Sequence, residues 1–127
     1  MTYWVIKDVA LAIHDRQIAE HGGSPGLRDE GRLEAALDRP KNLAAYDDPD
    51  ICALAAAYAL GIAQTHPFVD GNKRTSAVVT ELFLNLNGFH LTADDAAIVT
   101  TWLSIASGTM SEDRIADWLR LNSSSNA

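Results

Sequence analysis

Across residues 5–20 the apolar positions Val9, Leu11, Ala12, Ile13, Ile18 and Ala19 recur mostly at three- and four-residue spacing, with polar residues between them. That period predicts an amphipathic helix, which Gly22-Gly23-Ser24-Pro25-Gly26 breaks. A second, shorter helix is expected over residues 29–38, capped by Asp29, with Leu33, Ala36 and Leu37 turned inward and Pro40 closing it. Residues 39–50 read as a polar loop around Tyr46, and Asp47-Asp48-Pro49-Asp50 supplies a turn and an acidic helix start. Residues 51–65 are apolar or small nearly all round, as in a helix at the centre of a bundle. Pro67 should end that helix near His66, because the residue before proline is driven out of the helical region. A fourth helix follows over residues 71–87, with Val78, Val79, Leu82, Phe83 and Leu86 on one side and Gly88 as its stop. Thr92 and Ser111 as N-caps predict two more, over residues 93–106 and 112–121. No strand pattern and no repeat emerges. The expected fold class is therefore all-α, a single domain of about six helices over residues 1–121, with 122–127, NSSSNA, as a frayed tail.

Composition narrows the function. A chain of 127 residues with 47% hydrophobic residues can build one core without staples. Its formal net charge of −7 argues against a general nucleic-acid or anionic-membrane surface, so any anion site must be local. The lone Cys52 cannot form an internal disulfide, no signal-peptide pattern opens the chain, and no apolar run is long enough to span a bilayer. The expected compartment is the cytoplasm. His14, His21 and His90 show no ligand spacing and read as surface or core residues; Trp4, Trp102, Trp118 and Cys52 read as packing residues.

One stretch stands apart in this acidic chain: His66-Pro67-Phe68-Val69-Asp70-Gly71-Asn72-Lys73-Arg74-Thr75-Ser76. Its histidine closes one predicted helix and Gly71-Asn72 open the next, which sets an imidazole beside unpaired N–H groups at a helix N-terminus. Lys73 and Arg74 oppose the helix dipole at a cost of some tenths of a kcal/mol each, which points to an anionic ligand such as phosphate. Gly71 is expected to admit that ligand by lacking a side chain. Asp70 has two readings, an N-cap for the fourth helix or a ligand for Mg²⁺ bridging nucleotide phosphates, and judged alone the cap is the commoner. Phe68 is expected to bury its ring under the loop and fix the histidine, while Thr75 and Ser76 only cap or face solvent. A histidine in isolation would be read as structural; its neighbours make this one a candidate base. No G-x-x-x-x-G-K-[ST], G-x-S-x-G, H-E-x-x-H or C-x-x-C string is present.

The stretch from His66 to Thr75 closely resembles the Fic/Doc family signature, H-x-F-x-[DE]-[GA]-N-[GK]-R, and HGGSPGLRDEGRLEAALDRP, YALGIAQT and FLNLNG around it resemble the Doc type. The resemblance implies His66 as general base toward a target hydroxyl, Asp70 as the Mg²⁺ ligand, and Gly71, Asn72, Lys73 and Arg74 as the phosphate cradle for ATP. Lysine at position 73, where AMP-transferring members carry glycine, implies a reversed nucleotide and transfer of its γ-phosphate. The implied target is a threonine of elongation factor Tu, docked by a flap at residues 39–50. The implied silencer is a separate Phd-like antitoxin, since Gly26-Leu27-Arg28-Asp29-Glu30-Gly31 is not the family's self-inhibitory string. The rival readings are a nucleotidyl transferase of the same fold and a non-catalytic module that binds a phosphate-bearing ligand.

Overall fold

The computed structural model describes residues 1–126. Six helices form in chain order: α1 Lys7–His21, α2 Glu30–Tyr46, α3 Ile51–Thr65, α4 Asn72–Leu86, α5 Asp95–Ala106 and α6 Glu112–Leu121. Two short strands accompany them, β1 Phe89–Leu91 and β2 Ser123–Ser125. Helix α3 is the axis, with ten of its fifteen residues buried and with α2, α4, α5 and α6 packed around it. Small side chains explain that position. Ala55, Ala56, Ala57, Ala59 and Ala63 let the neighbouring helices approach closely, and Tyr58 fills the space beside Phe83 while its hydroxyl accepts the Val5 N–H at 3.0 Å. The tryptophans and Cys52 pack as expected: Trp4 stacks on Phe83, Trp102 meets Trp118 edge-on, and Cys52 is buried.

Asp29, Asp50 and Ser111 cap α2, α3 and α6, each side-chain oxygen accepting the N–H three residues on. Asp50 also accepts the Nε–H and Nη2–H of Arg120, at 2.8 and 3.0 Å, which ties the start of α3 to the end of α6. Chiefly those bonds hold the Asp50 carboxyl below its usual range. A carboxylate depressed in the folded state stabilises the fold above its unfolded pKa, and that contribution is lost as pH falls through the folded value. The thermal midpoint is therefore expected to decline below about pH 4, and Asp50→Asn should flatten the decline when midpoints are compared by circular dichroism.

Three expectations are corrected. Pro40 does not close α2, which runs on to Tyr46. A proline inside a helix leaves the carbonyl four residues back without its partner, here that of Ala36, but packing on α3 carries the helix through. Gly61 lies so close that a Cβ there would come within 3.3 Å of Ala36 Cα, while Leu37 and Pro40 are buried and Leu43 packs beyond them. The cap of α5 is Asp94, accepting the Ala97 N–H at 2.8 Å, since the helix begins at Asp95; Thr92 lies further back, its N–H donating to the Asn122 carbonyl at 2.7 Å. Residues 123–125 are paired rather than frayed. They form β2, antiparallel to β1 with Phe89 opposite Ser125, and Asn126 extends the zipper by donating its N–H to the Gly88 carbonyl at 2.8 Å. Polar serines carry no hydrophobic alternation, so main-chain pairing leaves no trace in the pattern.

Candidate active site

The site is built where α3 ends, α4 begins and two other segments press against the turn between them. Helix α3 stops at His66, whose backbone is left-handed at φ 51°, and Pro67 prevents continuation. Asn72 then locks the turn: its side-chain oxygen accepts the Phe68 N–H and its amide donates to the Phe68 carbonyl, both at 3.0 Å. The Asn72 side chain thus closes the loop. Its main-chain N–H opens α4.

Asp70 does not cap α4. The N-cap is Gly71, with no side-chain bond to the helix, and Asp70 Oδ1 accepts the Gly71 N–H at 2.8 Å while Oδ2 accepts the Ser24 N–H at 3.2 Å. The Ser24 N–H first, then that of Gly71, hold the Asp70 carboxyl below its usual range. The result is an exposed, ionised carboxylate fixed in place. Gly71 is needed for reasons other than ligand access, since φ is 76° and a Cβ would meet Ile18 Cδ1 at 3.2 Å and the His14 ring at 3.8 Å. The side chain it lacks would point at α1.

With no side-chain cap on α4, the first N–H groups of the helix stay open to a ligand. Lys73 and Arg74 are exposed there and make no ion pair among the described residues. His66, Asp70, Gly71, Asn72, Lys73 and Arg74 together line one cleft of about 320 Å³. The structure therefore gathers all the sequence-predicted polar residues at one place. Phe68 lies beneath, 1% exposed. Thr75 and Ser76, expected at the surface, are buried: Ser76 Oγ donates to the Ala59 carbonyl at 2.8 Å and accepts the Trp102 Nε1–H at 2.9 Å, so it joins α4 to α3 and α5.

Sequence reasoning missed the support for this loop. His14 of α1 is 2% exposed, stacks on Phe68 with ring centroids 3.8 Å apart, and places Nε2 2.8 Å from the Asp70 carbonyl oxygen. A carbonyl only accepts, so Nε2 carries the proton. The segment from Gly22 to Asp29 runs alongside the motif: Val69 donates to the Gly26 carbonyl at 3.1 Å, and the Arg28 and Asp29 N–H groups donate to the Pro67 carbonyl. Residues 47–50, the non-helical remainder of the expected flap, sit instead at the far end of α3, a helix length of about 22 Å from His66. The GGSPG glycines carried the missing signal, since a Cβ on Gly23 would lie 2.7 Å from Asp70 Oδ2 at φ 115°. Gly23→Ala is expected to cost about 1–3 kcal/mol of backbone strain and to displace the carboxylate; a thermal melt and a divalent-ion titration by calorimetry check both.

The Fic/DOC family profile matches residues 4–84. The protein kinase Doc of Escherichia phage P1 is 36% identical over 111 residues, covering 87% of each chain. Toxin Doc of Mycolicibacterium smegmatis is 42% identical over 77 residues, 58% of each. The chain belongs to the Fic/DOC family. Among the described residues no helix is long and apolar enough to cross a membrane.

Proposed function

We propose that this protein is a cytoplasmic toxin kinase that transfers the γ-phosphate of ATP to a protein hydroxyl. The observation that carries the reading is the single cleft in which an exposed imidazole, a fixed carboxylate and two unpaired cations meet an uncapped helix N-terminus. His66 takes the proton of the target hydroxyl as its oxygen attacks the γ-phosphorus, and the bond to the β-phosphate oxygen breaks to release ADP. Lys73 and Arg74, with the N–H groups opening α4, hold the phosphates and spread the charge that builds on them. Asp70 fits a Mg²⁺ role. Among the described residues it is the one carboxylate lining the cleft, and Mg²⁺ bound through one or two carboxylates plus substrate phosphates needs no fuller protein cage. When bound, the ion supplies charge neutralisation between phosphates.

The name of the phage relative supports phosphate transfer, and Lys73 supports it against AMP transfer by placing a bulky cation where the most charged end of the nucleotide would lie. The proposed target is a threonine of elongation factor Tu, docked beside the segment from Gly22 to Asp29, which lies against the motif. A Phd-like antitoxin is the proposed silencer. An amphipathic helix from it suits the apolar groove of about 310 Å³ between α4 and α5, where Val99 and Leu103 are exposed beside Trp102.

Incubation with ATP, Mg²⁺ and a bacterial lysate, followed by intact-mass analysis, tests the reading: one protein should gain a phosphate over many turnovers. Gain of AMP would establish nucleotidyl transfer instead, and no modification would leave a binding module. Arg74→Ala is expected to raise the Kd for ATP about 10- to 100-fold through lost charge-assisted bonds, measured by calorimetry. Unchanged affinity would remove Arg74 from the cradle.

A further inference from the structure

We propose that Arg28 and Arg32 are positioning residues that hold the His66 imidazole at the cleft, a role that rests on the phosphotransfer reading. His66 is the one non-glycine residue with positive φ among the described residues, at φ 51° and ψ 59°, and it precedes a proline. Both features work against it. Left-handed backbone crowds the Cβ of an ordinary residue, and the ring of Pro67 narrows the conformations open to the residue before it. A helix ending in a left-handed residue is commonly closed by N–H groups just beyond, and Pro67 has none to give.

Two guanidinium groups, one just before α2 and one in its first turn, instead bond the carbonyls left open where α3 ends. Arg28 Nε donates to the His66 carbonyl at 2.9 Å and its Nη2 to the Thr65 carbonyl at 3.3 Å, while Arg32 Nη1 donates to the same Thr65 carbonyl at 3.0 Å. The main chain beside them is anchored to the next carbonyl as well, through the Arg28 and Asp29 N–H bonds to Pro67 at 2.8 and 3.0 Å. Five donors therefore converge on three consecutive carbonyls around the candidate base. The positive charges also suit the negative end of the α3 dipole. Both arginines are exposed, so their bonds add little to global stability, whereas the backbone they grip carries the imidazole itself. Displacing a reacting group by about 1 Å can cost about 10²-fold in rate.

The test uses the full chain with Arg28→Met, Arg32→Met and the pair, which keep much of the apolar stem and remove the donors. Transfer to the lysate protein labelled by the wild type is measured together with the KM for ATP, and the His66 ring signals are followed by NMR. The pair is expected to lose about 10²-fold in kcat, to keep KM within about twofold, and to shift or broaden the His66 signals while those of buried His14 stay in place. A merely structural loss would move both histidines. Wild-type kcat with unmoved His66 signals overturns the role, and so does a raised KM at unchanged kcat, which would make the arginines nucleotide ligands. If the pair fails to fold, each single variant is judged by the same readouts. A wild type that transfers nothing would defeat the kinase reading alone, because the NMR comparison needs no turnover and still decides whether the arginines hold His66.

Discussion

His66→Ala should abolish phosphate transfer, with a loss of at least about 10²-fold, and leave the fold intact. The imidazole is exposed at the end of α3 and makes no contact that the core depends on, so removing it empties no buried volume. His66→Gly sharpens the test, because glycine adopts the left-handed backbone without the strain of about 1–2 kcal/mol that a Cβ meets there. That variant should be equally inactive while melting no lower than His66→Ala. Activity and stability would then move independently at one position, as expected of a group kept for chemistry. Retention of most of the transfer rate in either variant would sink the base assignment. In bacteria the same change should convert a growth-arresting chain into a harmless one at equal expression, and co-expression of an antitoxin should rescue the wild type.

The parts of this molecule legible in its sequence are those fixed by neighbours along the chain. The all-apolar face of α3, the Asp29 and Ser111 caps, the Gly88 stop and the motif itself depend on residues within a turn or two, and each lies where the pattern places it. The supports of the site are of another kind. His14 meets Asp70 across 56 positions, Arg28 meets His66 across 38, and Ser76 meets Trp102 across 26. No local period encodes such a pair. A histidine on the inner face of α1 looks the same whether it is merely packed or bonded to the loop above it. Pro40 misleads for a related reason: its local penalty is real, yet packing on α3, where Ala36 approaches Gly61, carries α2 through it. Gly71 is legible as a glycine and illegible in purpose, since the crowding that demands it comes from α1 rather than from a ligand.

Phe68→Ala is expected to be severely damaging to stability, costing about 3–5 kcal/mol by chemical denaturation, a large share of the roughly 5–15 kcal/mol that holds a domain. The ring is 1% exposed and lies parallel to His14 at 5°, so truncation opens a cavity against a buried imidazole that is itself committed to the Asp70 carbonyl. The Asn72 amide would still grip the main chain of residue 68, which confines the loop without filling the void. Phe68→Leu restores much of the apolar volume and should recover more than half of the lost stability, but not the stacked contact. If the aromatic ring matters only as volume, Leu will also restore transfer. The parallel geometry predicts otherwise: His14 loses the flat partner that fixes its ring plane, the carbonyl and carboxylate of Asp70 are held less firmly, and transfer remains impaired in a protein that is nearly as stable as the wild type. A Phe68→Ala variant that loses less than about 1 kcal/mol would show that the loop is held by its main-chain bonds alone.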